Sequence, residues 1–202
     1  AQTLMLPTAV EGTVGSLQRR YFRFEAREGQ RIALEVYARR LGSALDPLVV
    51  LSNVGGRQLA TADDTPGLGG DCQLVHHCAT TGAYIVEVRD IRYRGGDEFP
   101  FHLRIGNFPC VQATYPLAVQ RGTTAEISCV GLDPNDVRPT TVELPADDAR
   151  TAVTLAAPGG EGQGSGLVAC LTTDRPEVVE AEPNDSSDDA QRVTSEQNLN
   201  GR

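Results

Sequence analysis

The sequence predicts an all-β protein, a jelly-roll-like β-sandwich followed by a small immunoglobulin-like β-sandwich. Three observations carry this. Apolar and polar residues alternate over short runs, and no window of about 11 residues shows helical periodicity. Glycine (21) and proline (12) are plentiful, which suits short strands joined by tight turns. Aromatic residues make up 5% and Trp is absent, so aliphatic side chains must fill the cores.

The strands follow in order. "YFRFEA" (21–26) puts Phe22 and Phe24 on one face, and "RIALEVYARR" (31–40) turns Ile32, Leu34 and Val36 inward. The short "REGQ" (27–30) between them makes the two runs read as a hairpin. "DPLVVLSN" (46–53), a Gly-Gly turn and "GGRQLATADD" (55–64) give a strand and its return. "GAYIVEVRD" (82–90) alternates Tyr84, Val86 and Val88 against Ile85 and Glu87, and "EFPFHLRIG" (98–106) closes the first unit, taken as 1–107. "NFPC" (107–110) reads as a turn or linker. A second unit (108–175) holds "TAEISCVGL" (124–132), "TTVELP" (140–145), "TAVTLAAP" (151–158) and "GLVACLTT" (166–173), with "PGGEGQGSG" (158–166) as a mobile loop.

Charge narrows the partners. All 18 basic residues are arginine, and the net charge is −9, which argues against nucleic acid as a partner. Residues 174–189 hold seven acids against one arginine, so most of the charge sits there. No run of about 20 apolar residues exists to span a membrane as a helix.

The stretches "FRFEAREGQ", "ARRLGSALDP", "LATADD", "GAYIVEVRD" and "YRGGDEFPFHLRIG" together resemble the bacterial pre-peptidase C-terminal domain, over roughly residues 8 to 106. That family is a β-sandwich appended to secreted peptidases and repeated in large secreted proteins. The resemblance implies a Glu-Pro-Asn-Asp element ahead of the first strand. "EAEPNDSSDDAQRVTSEQNLNGR" (180–202) looks like such an element, with "NLNGR" in the place that "AVEGTVG" (9–15) holds in the first unit. Residues 176–202 are then an acidic linker and the start of a second domain of this type, and the chain is expected to be a piece of a longer tandem protein. A disordered acidic tail is the plainer alternative.

The acidic element invites calcium. Glu180, Glu182 and Asn184 stand at alternate positions, so an extended backbone puts their oxygens on one side, and Asp185 adds another. Pro183 biases Glu182 toward that backbone. Related collagen-binding domains carry a calcium-dependent linker of this kind, so the resemblance implies a half-site completed by the next sandwich. In the first unit the corresponding place reads Gln18-Arg19-Arg20, which does not supply the usual acids. A second acidic rim is Asp63, Asp64 and Asp71, whose structural reading is a turn with carboxylates capping backbone N–H groups. Arg39 and Arg40 invite ion pairs with Asp46 or with these acids.

"DCQLVHHC" (71–78) offers Cys72, His76, His77 and Cys78 as zinc-type ligands, but adjacent histidines on a strand point to opposite faces. A Cys72–Cys78 disulfide is the preferred reading, with Cys129–Cys170 bridging the sheets of the second unit and Cys110 left over. The motifs of zinc proteases, serine hydrolases, phosphate loops and dinucleotide folds are absent, and the serine in "GQGSG" (162–166) does not have the nucleophile spacing. The expectation is a non-catalytic structural or binding module of a larger secreted, periplasmic or cell-surface protein, mediating attachment or assembly. Its partners would be proteins, a cell-surface polymer or further domains of its own chain. The alternatives are the accessory region of a secreted hydrolase, or an accessory subunit docked on a membrane complex.

Overall fold

A computed structural model describes residues 1–133, 138–160 and 163–201. Among the described residues its elements are β-strands and a 3-10 turn over Arg39–Leu41. The first sandwich contains β1 (Gln2–Thr3), β2 (Thr8–Thr13), β3 (Arg20–Ala26), β4 (Arg31–Tyr37), β5 (Pro47–Asn53), β6 (Gln58–Ala62), β7 (Cys72–His77), β8 (Gly82–Asp90) and β9 (Pro100–Gly106). They form a five-stranded sheet ordered β1-β3-β8-β5-β6 and a four-stranded sheet ordered β2-β9-β4-β7.

Between these sheets lies the main core. Phe24 and Ile32 are fully buried, as are Leu51, Val86 and Leu103, so the alternation in the sequence marks the inward faces correctly. Phe24 stacks on Tyr84 with ring centroids 5.8 Å apart.

One pairing differs from the sequence reading. β3 and β4 are not a hairpin: β3 pairs with β8 and β4 with β7 and β9, so 27–30 carries the chain from one sheet to the other. Alternation tells which face of a strand is buried, and both strands bury one. It does not tell whether two such strands lie side by side or face each other across the core. β5 and β6 do form the expected hairpin, with Gly56 at φ 79° in its turn.

The second sandwich is two three-stranded sheets. β10 (Val111–Tyr115), β12 (Thr123–Gly131) and β13 (Arg138–Leu144) make one; β11 (Ala118–Gln120), β15 (Val168–Thr173) and β14 (Ala152–Leu155) make the other. Ile127, Val119, Leu144 and Cys170 pack between them. A separate parallel pair, β16 (Glu177–Val179) with β17 (Asn198–Asn200), follows. No helix among the described residues is long and apolar enough to cross a membrane.

The stretch 107–110 is no free linker. Phe108 and Cys110 are buried against Ala33 on the outer face of the four-stranded sheet, with Val75 beside them. Arg31 donates to Asn107 Oδ1 (3.2 Å), to the Phe108 carbonyl (2.9 Å) and to Asp133 Oδ2 (3.3 Å). An apolar aromatic between Asn and Pro resembles loop punctuation in sequence, yet burying it is worth more than leaving it in water.

Candidate interaction surface

Part of the second sandwich exposes apolar side chains: Leu117 is 53% exposed, Val130 40% and Leu199 52%. Ala113, Tyr115, Ser128 and Val130, with Leu117 and Gly201, line a groove of about 440 Å³ on the β10–β12 face.

β17 reaches this groove because asparagines tie it down. Asn200 is buried; its Oδ1 accepts the Leu117 N–H (2.9 Å), its Nδ2 donates to Glu177 Oε2 (2.6 Å), and its carbonyl accepts Tyr115 Oη (3.1 Å). Asn198 Nδ2 donates to Thr173 Oγ1 (3.0 Å) and Glu177 Oε1 (2.6 Å). Polar groups thus fasten one side of the pair to the sandwich, while the ladder partners Val178 and Leu199 carry its apolar side.

The acidic element lies between β16 and β17. Asn184 N–H donates to Glu182 Oε2 (3.0 Å), and Asn184 Nδ2 lies 3.5 Å from Glu180 Oε2. These oxygens therefore organise a local turn. Asp185 is exposed, and no group of three or more His, Cys, Asp or Glu side chains among the described residues is placed to hold a metal ion.

The second acidic rim divides. Asp71 is fully buried and accepts the N–H groups of Ala38 (2.9 Å), Arg39 (2.6 Å) and Arg40 (3.3 Å), together with Arg40 Nε (2.6 Å). It caps the 3-10 turn, which is a structural role. Asp63 and Asp64 are exposed and do not join it there. Arg39 pairs with Asp46 at 3.7 Å.

All five cysteines are buried thiols. Cys72 opens β7 and Cys78 follows its last residue, so an extended strand separates them by about 20 Å. A disulfide needs Cα atoms about 4.4–6.8 Å apart, so the expected Cys72–Cys78 bridge is incompatible with this strand. The zinc reading fails for the same reason: His77 points outward to Asp133 (3.7 Å) while His76 sits near the Tyr84 ring. Burial, with Asp71 alongside, pushes the Cys72 thiol up, away from the thiolate a metal requires. Cys129 and Cys170 differ. Both are fully buried inside the second sandwich, near enough for Cys170 to help raise the Cys129 thiol.

The sequence reading missed Glu35. On the outer face of the four-stranded sheet it should meet water, yet it is fully buried. Arg40 Nη2 (3.1 Å) and Gln73 Nε2 (3.0 Å) donate to its Oε1, and Arg104 Nη1 (3.2 Å) to its Oε2. Burial, followed by the Glu35 charge, raises the pKa of the neighbouring Tyr37. The only signal was an acid inside the apolar run "IALEVY", two residues before the end of an otherwise ordinary strand.

No family model matches the chain, and no curated protein does. Among solved structures, the chain is similar to the pre-peptidase C-terminal domain of a collagenase from Bacillus anthracis, at 13% identity and a TM-score of 0.39, covering 51% of this chain and 91% of that one. It is also similar to PliG of Aeromonas hydrophila, a periplasmic inhibitor of g-type lysozyme, at 16% identity and a TM-score of 0.40, with coverage of 51% and 91%. The Salmonella Typhimurium inhibitor of the same kind gives 11% and 0.35, with 52% and 94% covered.

Proposed function

We propose that this chain is a non-catalytic structural and binding module of a larger extracytoplasmic protein, and that residues 176–201 lead from its second sandwich into a further one. The observation that carries this reading is the β16–β17 pair. Two strands of three residues do not make a stable sheet by themselves, and this pair keeps Leu199 52% exposed. In the first sandwich the strand proposed to correspond, β2, packs its Val10 against the main core. Leu199 would do the same in a sandwich built onto β17. Attachment and assembly would then proceed end to end.

The test uses the chain's own parts. Residues 1–201 are joined in frame to residues 13–106, so that Gly201 takes the place of Gly12. Amides of 177–200 should gain hydrogen-exchange protection relative to 1–202, and Leu199→Asp should abolish the gain. Unchanged protection, with residues 8–106 folding normally as a control, would leave 176–201 a plain tail.

A further inference from the structure

We infer that the two sandwiches are held in one fixed orientation by an intramolecular lock, in which the strap 163–166 of the second closes over the Glu35 carboxylate of the first. This rests on the joint alone and does not depend on the proposed function.

In this joint, three contacts at the strap and its flanks add to the Arg31–Asp133 pair and to Phe108 and Cys110 packed on Ala33. At its centre, Arg104 spans both units: Nη1 holds Glu35 and Nη2 donates to the Gly164 carbonyl (2.7 Å), while its guanidinium lies 4.2 Å from the Phe108 ring centroid. On one flank, Gln163 Oε1 accepts the Asn107 N–H (3.1 Å). On the other, the loop before β7 meets β10 backbone to backbone at Gly67 and the Gln112 carbonyl. The strap is itself shaped by Ser165, whose Oγ accepts the Ala157 N–H (2.8 Å) and donates to the Gly166 carbonyl (2.7 Å).

Glycine is required where the surfaces touch. A Cβ on Gly166 would stand 2.5 Å from Tyr37 Oη and overlap Glu35 Oε1. Glu35 cannot swing aside, because Arg40, Gln73 and Arg104 hold it from three directions. A Cβ on Gly67, already at φ +84°, would overlap the Gln112 carbonyl oxygen. The glycine-rich stretch expected to be a mobile loop therefore has buried residues at Ser165 and Gly166; Glu161 and Gly162 lie outside the described residues.

The charges decide what kind of joint this is. Two carboxylates (Glu35, Asp71) face two guanidiniums (Arg40, Arg104), all of them in the first sandwich, so the charges balance within that unit and the strap adds the Gly164 carbonyl as a neutral acceptor for Arg104. Buried ion pairs add little net stability against apolar contact, but a misplaced buried charge is costly. What fixes the orientation is therefore the close fit of the strap over this paired network, which leaves no room for a side chain at Gly166.

The test places spin labels at the exposed positions Arg57 and Glu143, one in each sandwich, and reads their distance distribution. The wild type should give one narrow peak and a single melting transition. Gly166→Val should broaden the distribution several-fold and split the melt in two, while hydrogen exchange shows β8 and β12 still protected. If a core is lost in that variant, Gly67→Ala is read in the same way. A broad wild-type distribution would overturn the lock, as would a Gly166→Val distribution and melt that match the wild type.

Discussion

Among the described residues, the core of the first sandwich joins 20 buried side chains, including Phe22, Phe24, Tyr84 and Phe101. The second sandwich packs two groups of six and four, with no aromatic among them. Polar fastening also differs. The first sandwich buries Glu35, Asp71 and Asp90 completely, each satisfied by several donors, whereas Arg121 of the second holds Asp174, whose side chain is 84% exposed. The first has the larger and more aromatic core. The second borrows order from its neighbour through Phe108, Cys110 and the strap, which is how a unit of its size gains enough buried surface.

The comparison breaks most directly at the two cores. Phe24→Ala removes a fully buried ring stacked on Tyr84 and should cost about 3–5 kcal/mol, taking the second sandwich down with the first. Ile127→Ala, a deletion of about 2–5 kcal/mol in the smaller core, should unfold the second sandwich and leave the first folded. Hydrogen exchange on β8 and β12 in both variants reads the asymmetry. Equal loss of both sandwiches in the Ile127 variant would show that the dependence runs both ways.

Next in size is the sulfur pair. Burial, then the nearby Cys170, raises the Cys129 thiol, so the two thiols are slow to react from the folded state. Refolding with reduced and oxidised glutathione should link Cys129 to Cys170, with the glutathione disulfide as oxidant, and stabilise the second sandwich by about 2–4 kcal/mol. Non-reduced peptide mapping identifies the bond, and Cys72 should remain unlinked to Cys78. A Cys72–Cys78 peptide in folded material would mean that β7 has been misplaced.

Much of this was legible in the sequence, for a physical reason. Period-two alternation reports the buried face of each strand, so Phe22, Phe24, Ile32, Leu34, Tyr84 and Val86 were readable as core. Pairing across the core was not, because facing strands and adjacent strands share one pattern; hence the mistaken hairpin at 27–30. The joint was illegible for a different reason. Glu35, Arg104 and Gly166 look like surface residues until a second unit covers them, and nothing local announces a cover. Cys72 and Cys78 show the opposite error, in which chemical habit prevailed over the strand's own geometry. Of the acidic candidates, only the capping role of Asp71 followed from turn chemistry.

A smaller effect separates the buried carboxylates from the exposed ones. Burial pushes the Asp90 carboxyl up, but the N–H groups of Asp46, Arg94 and Arg92 and the Arg94 guanidinium outweigh it and hold it below the usual range. A depressed folded-state value gives stability that is complete above the unfolded value of about 3.9 and is lost as the pH falls through the lower folded value. Asp90→Asn should therefore cost about 1–3 kcal/mol at neutral pH, through N–H groups left poorly paired. The gap from wild type should shrink below about pH 4. Urea melts at pH 7 and pH 2.5 measure it, and a constant gap would remove ionisation from the account.

The smallest expected effect concerns the acidic element, where the second sandwich hands over to whatever β17 serves. If Glu180, Glu182, Asn184 and Asp185 are half of a calcium site, residues 1–202 should bind the ion only weakly. Calcium takes about 6–8 oxygens, and here Glu182 already accepts the Asn184 N–H while Glu180 faces the Asn184 amide. Binding would have to break that turn and order the segment again, at roughly 1–2 kcal/mol per residue. A completed sandwich on β17 would supply further oxygens and hold the segment in place beforehand. Calorimetric titration of calcium into 1–202, into the chain extended by residues 13–106, and into its Glu182→Ala variant separates the cases. That added sandwich carries Gln18-Arg19-Arg20 where acids would be needed, so its affinity should rise only modestly and fall again on Glu182→Ala. Restoring acids at Gln18 and Arg20 of the added copy should raise it further. Equal and negligible heats throughout would make 180–189 a solvated linker whose carboxylates serve only its own turn.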